Sequence, residues 1–308
     1  TEDPKTDPTT DNPETEDPKN DPETDPETDN PEIDNPETED PKIDPETDNP
    51  ETDDPETDNP EITDPNLTAR IISSPGGFAR LVPDNLRKFY EKAKNSGTCS
   101  GEDLLVGGFH SQIDGPPEFG YCQKHMAGKG FYIKGPGTEL TNMDIDCHGS
   151  QTDGDGRCAG SSDTKPQTSF KTSVQGFGIS DLNTYIHPYV VLGNEGNYSP
   201  TFEPETAGVQ PLSVVAVVCG EKLVYGVWGD TNGDNGSPLV GEASLSLATE
   251  CFGDSMNAKQ GHGENDVLYI AFSGPDAVPG DGVNWDAKSP AEFHASIAAA
   301  GDKLVASL

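Results

Sequence analysis

Hydrophobic residues along this chain occur mostly in short runs that are separated by turn-forming residues. Two valine-rich runs, 212–219 and 223–228, are joined by Gly220-Glu221. Runs of this length around a short glycine-containing turn predict a β-hairpin of buried strands. Other short apolar pieces, bounded by glycine, proline or polar residues, predict further strands at 119–122, 131–134, 143–147, 187–194 and 266–272.

Three segments have helical signals instead. Residues 84–94 follow Pro83, with Asp84 as a possible N-cap and Gly97 as a stop. Residues 243–251 are predicted to form a short helix, and 289–300 a terminal helix that Ser289 caps and that ends before Gly301. Many short strands with few helices predict a mainly β (α+β) fold: a compact, barrel-like β-core with peripheral helices.

The predicted hairpin leads into the most informative stretch of the chain. Gly-Asp-Thr-Asn-Gly at 229–233 and Gly-Glu-Ala-Ser at 241–244 place Asp230 and Glu242 at the two ends of a loop rich in glycine and asparagine. Two carboxyl groups facing one cleft are the minimum apparatus for hydrolysing a glycosidic bond. The alternative is structural: Asp230 as a turn former and Glu242 as a carboxylate at a helix N-terminus.

Composition divides the chain. Residues 1–65 contain 27 acidic residues, three lysines and 14 prolines, a net charge of −24, and have no aromatic residue. Such a segment has too few apolar side chains to offset its ordering entropy, which predicts a disordered, extended stalk. Its polyanionic charge predicts long-range attraction to a cationic substrate, and a passive spacer is the alternative.

The remaining residues, 66–308, are predicted to form one domain. Their net charge is −13, which argues against a nucleic-acid partner and suits a cationic ligand. An even number of cysteines without a CxxC pair predicts three disulfides in a secreted protein, with buried free thiols as the alternative. Three glycosylation sequons, at Asn66, Asn197 and Asn235, agree with secretion, and the lack of an 18-residue apolar run predicts no membrane span.

Metal and cofactor motifs are absent from the sequence. Asp153-Gly-Asp155-Gly lacks the downstream glutamate of a calcium loop, and the six histidines have no metal-ligand spacing. The histidines are therefore interpreted as structural, with His262 the one predicted to reach a cleft. Asp144 and Asp146 share a strand face, where they would either line a cationic subsite or be merely solvated.

Several motifs, in order, resemble the fungal chitosanases of glycoside hydrolase family 75. They lie at 143–147, 188–194, 208–219, 224–233, 241–246 and 266–272, and the resemblance extends over about residues 72 to 275. It implies endo-acting, inverting hydrolysis of the β-1,4 bonds of chitosan by Asp230 and Glu242, with Glu242 interpreted as the general acid. Substrate contacts are predicted at Asp144, Asp146, Trp228, Asn232 and His262.

We therefore expect a monomeric, secreted enzyme that needs no cofactor and has chitosan as its partner. Two alternatives stay open at the level of the sequence. One is an expansin-like module that binds a cationic glycan without cleaving it. The other is an acidic wall or matrix protein whose properties derive from the stalk.

Overall fold

The computed structural model describes residues 77–161, 166–196, 198–233 and 236–308. The predicted stalk and the three sequon asparagines lie outside these residues. Four helices are described: α1 Asp84–Lys94, α2 Lys171–Gln175, α3 Leu245–Phe252 and α4 Pro290–Ala306. The described strands are β1 Arg80–Leu81, β2 Leu104–Phe109, β3 Phe119–Cys122, β4 Gly130–Lys134, β5 Thr141–Asp146, β6 Tyr189–Asn194, β7 Val214–Cys219, β8 Lys222–Asn232, β9 Glu242–Ser244 and β10 His262–Phe272.

Six of the strands form a closed ring. Strand β8 pairs with β6, β6 with β9, β9 with β5, β5 with β10, β10 with β7, and β7 again with β8. The β5–β9 and β6–β8 pairs are parallel, and the other pairs of the ring are antiparallel. Strands β4, β3 and β2 extend outward from β10, while β1 pairs with β8. The predicted barrel-like β-core is confirmed.

Alternation along the strands of the ring produces two hydrophobic cores. Side chains from all six strands fill the inside of the barrel, including Ile145, Val190, Val217, Trp228, Ala243 and Tyr269. The opposite faces of β7, β8 and β10 pack outward against α1 and α4 through a second core. On β5 and β9 the outward positions are polar instead: Asp144, Asp146, Glu242 and Ser244. The candidate site lies on this polar part of the barrel wall.

The hairpin before the site is confirmed, but its second strand is longer than predicted. Strand β8 continues four residues past Trp228, so Asp230 lies within a strand and not in a turn. Glu242 likewise belongs to β9, and α3 begins three residues later with Ser244 as its N-cap. The alternative roles as turn former and helix-terminal carboxylate are therefore wrong. Pairing with β6, which is distant in sequence, keeps both segments extended.

The terminal helix also differs from its prediction at one end. Ser289 caps α4 by accepting a hydrogen bond from Glu292, and Pro290 is its first residue, as expected. The helix does not end before Gly301 but continues to Ala306. A Cβ at position 301 would lie 2.6 Å from the ring of the buried Tyr225. This glycine allows the helix to approach the barrel closely and is not a stop.

Three disulfides connect the described part of the chain, which confirms the prediction from the even cysteine count. They join Cys99 to Cys122, Cys147 to Cys158 and Cys219 to Cys251. The second closes a loop directly after β5, next to the candidate site. None of the helices among the described residues has the length and apolarity needed to span a bilayer.

Candidate active site

A β-bulge decides the direction in which the Asp230 side chain points. In the pairing of β6 with β8, Val190 lies opposite Trp228, whereas the next residue, Val191, lies opposite Asp230. Gly229 is the extra residue, and a Cβ there would lie 2.6 Å from Tyr189. Because side chains alternate between faces, this slip turns Asp230 to the face opposite Trp228. The bulge moves the carboxylate out of the barrel interior.

The four carboxyl groups of the site form a row over four neighbouring strands, of which β8, β9 and β5 carry them. Val191 of β6 is the register partner of Asp230 on one side and of Glu242 on the other. Glu242 in turn lies opposite Asp144 of β5. Register partners share a face of the sheet, so these side chains all project from the same outer face. Asp146, two residues beyond Asp144 on β5, shares this face.

Asp230 is surrounded by hydrogen-bond donors. The backbone N–H and the hydroxyl of Ser169 donate to Oδ1 at 2.8 and 2.6 Å, and the N–H of Thr231 donates to the same atom at 2.8 Å. Nδ1 of His148 lies 2.7 Å from Oδ2. The residue is only 1% exposed. Three donors on Oδ1, and an imidazole nitrogen that can donate to Oδ2, match an ionised carboxylate.

Asp146 is the most deeply buried carboxyl group of the row. Its Oδ1 accepts a hydrogen bond of 2.7 Å from the backbone N–H of His148, while Oδ2 has no hydrogen-bond partner in the described part of the chain. Burial raises the pKa of Asp146 well above its ordinary value, and the nearby charges of Asp230 and Glu242 raise it further. This carboxyl group therefore favours its protonated form.

Glu242 and Asp144 are more accessible than their two neighbours. Both are half-buried, where Asp146 and Asp230 are buried. Burial raises the pKa of Asp144. Burial also raises the pKa of Tyr269, with further contributions from the charges of Asp144 and Glu242. The site thus combines two buried and two accessible carboxyl groups.

An open hollow with a volume of about 800 Å³ lies beside Asp230. Ser169, which donates two hydrogen bonds to Asp230, is part of its lining, so the carboxylate lies one residue beneath the surface of the hollow. Glu195 and Lys171 are its charged lining residues. The other lining residues lack charge and are mostly polar: Pro166, Gln167, Thr168, Thr172 and Gln175.

One group of side chains in the described ranges is compact enough to hold a metal ion. Asp146, His148 and Asp230 each offer an atom within 4.8 Å of the others. Nδ1 of His148 already lies 2.7 Å from Asp230 and 3.2 Å from Asp146, distances that a shared proton explains. The cluster is consistent with a hydrogen-bonded network that needs no cation, and the prediction of a metal-free site stays a prediction.

Comparison with known proteins decides the family. A model described as fungal chitosanase of glycosyl hydrolase group 75 matches residues 143–307. "Endo-chitosanase B" of Aspergillus oryzae is 46% identical over 236 residues, covering 76% of this chain and 94% of that protein. "Endo-chitosanase" of Aspergillus fumigatus is 46% identical over 244 residues, with coverages of 79% and 97%. This chain belongs to glycosyl hydrolase group 75.

A more distant relative matches this chain over only part of its length. "Endo-chitosanase C" of Aspergillus oryzae is 32% identical over 172 residues, which cover 55% of this chain and 39% of that protein. The region matched to the group 75 family contains all four carboxyl groups of the row. The resemblance seen in the sequence motifs is confirmed, and the row lies within the part of the chain that defines the family.

Of the five predicted substrate-binding residues, Asp144 and Asp146 lie in the row and the other three do not. Trp228 is 2% exposed, and its indole N–H donates to the carbonyl oxygens of Leu192 and Asp230, so its ring supports the wall from inside. Asn232 donates to the carbonyl of Leu239 at the end of β8. His262 stacks on Phe252 at 3.8 Å and hydrogen-bonds Asp266. Neither hydrogen bond involves the carboxyl row.

Two residues that contact Asp230 are not among the predicted site residues. The sequence predicts His148 to be a structural histidine and gives no prediction for Ser169. The spacing of Asp146 and His148, two positions apart at the end of a predicted strand, was the available signal for the histidine. Ser169 lies in an irregular segment that Asp181 holds by accepting hydrogen bonds from Thr168. No local pattern marks such a residue.

Proposed function

We propose that this protein is an endo-acting chitosanase that cleaves β-1,4-linked glucosamine bonds with inversion at the anomeric carbon. Membership of group 75 and the endo-chitosanase names of its relatives support the substrate and the reaction class. One observation supports the residues: Asp230 and Glu242 flank the same residue, Val191, on one face of the barrel wall.

The spacing of the two acids suits a direct displacement by water. Neighbouring strands lie about 4.8 Å apart, so the Cα atoms of residues two strands apart are separated by about 10 Å. Inverting glycosidases need about 6.5–9.5 Å between their carboxyl groups, because the attacking water must fit between the base and the sugar. Side chains leaning slightly toward each other from Asp230 and Glu242 would give that separation.

Differences in burial and hydrogen bonding support different roles for Asp230 and Glu242. The proposed base, Asp230, is buried among donors that match its ionised form and needs only a water molecule beside it. The proposed acid, Glu242, is half-buried and so can approach the glycosidic oxygen of a polymer. Asp146 is completely buried, which excludes direct contact with a polysaccharide in this conformation.

Charge supports a cationic substrate. Residues 66–308 have a net charge of −13, and the strand pairing brings three of their acidic residues, Asp144, Asp230 and Glu242, to one face. Chitosan is a polyamine, so this surface would attract it and raise its rate of encounter. We further propose that residues 66–308 form the catalytic domain of a secreted, monomeric protein. Three disulfides support the assignment to an oxidising compartment.

Substitution of either acid tests the proposal. Asp230→Asn and Glu242→Gln keep shape and remove proton transfer, so each should reduce the release of reducing ends from soluble chitosan by at least about 10²-fold. Glu264→Gln, an exposed acid on β10, is the matched control and should retain activity. Near-normal rates for either site variant would contradict the assignment. NMR of the first products should show the α-anomer, and an initial β-anomer would mean retention.

A further inference from the structure

His148 is fixed next to Asp230 by contacts on its backbone and on its ring. It follows Cys147, whose disulfide with Cys158 closes the adjoining loop. Its N–H donates to Asp146, and its carbonyl accepts a hydrogen bond from the hydroxyl of Tyr189 at 3.2 Å. The residue is 6% exposed, with Nδ1 at 2.7 Å from Asp230. The ring is therefore held in one orientation toward this carboxylate.

The two oxygens of Asp230 have different capacities for another hydrogen bond. Oδ1 accepts three donors, two from Ser169 and one from Thr231. Oδ2 has one contact in the described part of the chain, with Nδ1 of His148. An ionised carboxylate has about two acceptor sites on each oxygen, so the remaining site is on Oδ2. A proton taken up by Asp230 would arrive at the atom that His148 holds.

We propose that His148 is a positioning residue, which holds Oδ2 of Asp230 in place to accept a proton from the attacking water. This inference rests on the proposed function. In the step, an O–H bond of water breaks and its proton moves to Oδ2, while the water oxygen bonds to the anomeric carbon. The glycosidic bond breaks at the same time, and its oxygen receives the proton of Glu242. The imidazole N–H keeps Oδ2 oriented throughout and exchanges no atom with the substrate.

The charged surroundings of His148 agree with this role. The titratable groups that face it in the described part of the chain include Asp146, Asp230 and Tyr189, with Glu242 close to the same cluster. Burial raises the pKa of Asp146 and of Tyr189, which favours the neutral form of both. Nδ1 of the imidazole lies closer to Asp230, at 2.7 Å, than to Asp146, at 3.2 Å, so its proton is directed to Asp230.

Two amide substitutions distinguish positioning from packing. In His148→Asn the side-chain nitrogen can occupy the place of Nδ1, whereas in His148→Gln it occupies the place of Nε2. We expect H148Q to lower kcat on soluble chitosan about 10²-fold and to move the acid limb of the kcat/KM profile to higher pH, by about one unit. H148N should lose less than about tenfold and keep the acid limb in place. KM should change little in both.

The possible outcomes distinguish a failure of this inference from a failure of the proposed function. An active Asp230→Asn protein would contradict the proposed function. If that variant is inactive while H148N and H148Q lose activity equally with unchanged pH profiles, only the positioning role is wrong. NMR of the unsubstituted protein gives a test that does not depend on folding of the variants. The Nδ1 proton of His148 should be downfield and slow to exchange, and its absence would overturn the inference.

Discussion

The pKa of an individual side chain in this protein depends on whether its surroundings stabilise or destabilise the charged form. Asp146 is completely buried and Asp144 is half-buried, and burial raises the pKa of both. His294 of α4 shows the opposite case for a base. Burial, together with a smaller contribution from the charge of Arg80, lowers its pKa to about 3. Its ring packs between Phe78 and Tyr225, and its Nε2 has no hydrogen-bond partner among the residues that the structure describes.

His294 should make the folded state sensitive to acid. Its unfolded pKa is about 6.5, so between pH 6.5 and about 3 the unfolded chain binds a proton that the folded chain does not. Stability is therefore lost as pH falls through this window, by about 2–3 kcal/mol from pH 6.5 to 4.5. Denaturant unfolding at pH 7 and pH 4.5 measures the loss.

In His294→Phe, most of this pH-dependent loss should disappear, because the aromatic packing stays and the titrating group is removed. His125→Asn is the control, since His125 is exposed and should leave the difference between the two pH values nearly unchanged. An identical pH dependence in the wild-type protein and in His294→Phe would show that His294 does not titrate in this window.

At the scale of secondary-structure elements, two glycines allow neighbouring segments to pack closely against the barrel wall. Gly229 forms the bulge of β8 without a steric clash with Tyr189, and Gly301 allows α4 to pack against Tyr225. Glycine inside a helix is normally less favourable than alanine by about 1 kcal/mol. At position 301 glycine is favoured over alanine instead, because the buried ring of Tyr225 already occupies the space that a methyl group would need.

Gly301→Ala should therefore destabilise the protein by about 1–3 kcal/mol, since the added Cβ forces α4 away from Tyr225. Gly282→Ala is the matched control, because a Cβ at that position meets nothing within 4 Å and should change stability by less than about 0.5 kcal/mol. Chemical unfolding of both variants compares them. Increased stability in Gly301→Ala would mean that propensity outweighs packing here.

For the molecule as a whole, charge is divided unequally along the chain. Residues 1–65 contribute −24 of the net charge of −37. We propose that this segment attracts chitosan over long range and takes no part in bond cleavage. Attraction of this kind weakens with salt, since the screening length falls from about 30 Å at 0.01 M to about 8 Å at physiological ionic strength.

Deletion of residues 1–65 should leave kcat unchanged and raise KM for chitosan at low salt, with the two proteins converging as salt increases. Initial rates measured over a range of salt and chitosan concentrations test this. Equal KM values at low salt would leave the segment only the role of a spacer. A lower kcat at every salt concentration would contradict the assignment of catalysis to residues 66–308.

Local sequence determined much of the outline of this protein. The valine runs around Gly220 specify the hairpin, Ser289 and Pro290 specify the start of α4, and the even cysteine count anticipates three disulfides. These features depend on residues that are neighbours in the chain or on a property of composition. The family, too, could be identified from ordered motifs, because they are contiguous stretches of sequence.

Only the tertiary structure decided how the site is arranged. The face on which Asp230 lies depends on a bulge opposite β6, and its neighbours His148 and Ser169 come from segments 82 and 61 residues away. The role of Gly301 inside α4 depends on the ring of Tyr225, against which the helix packs closely. Strand register and close packing are set by partners distant in sequence, so a single segment contains no signal for them.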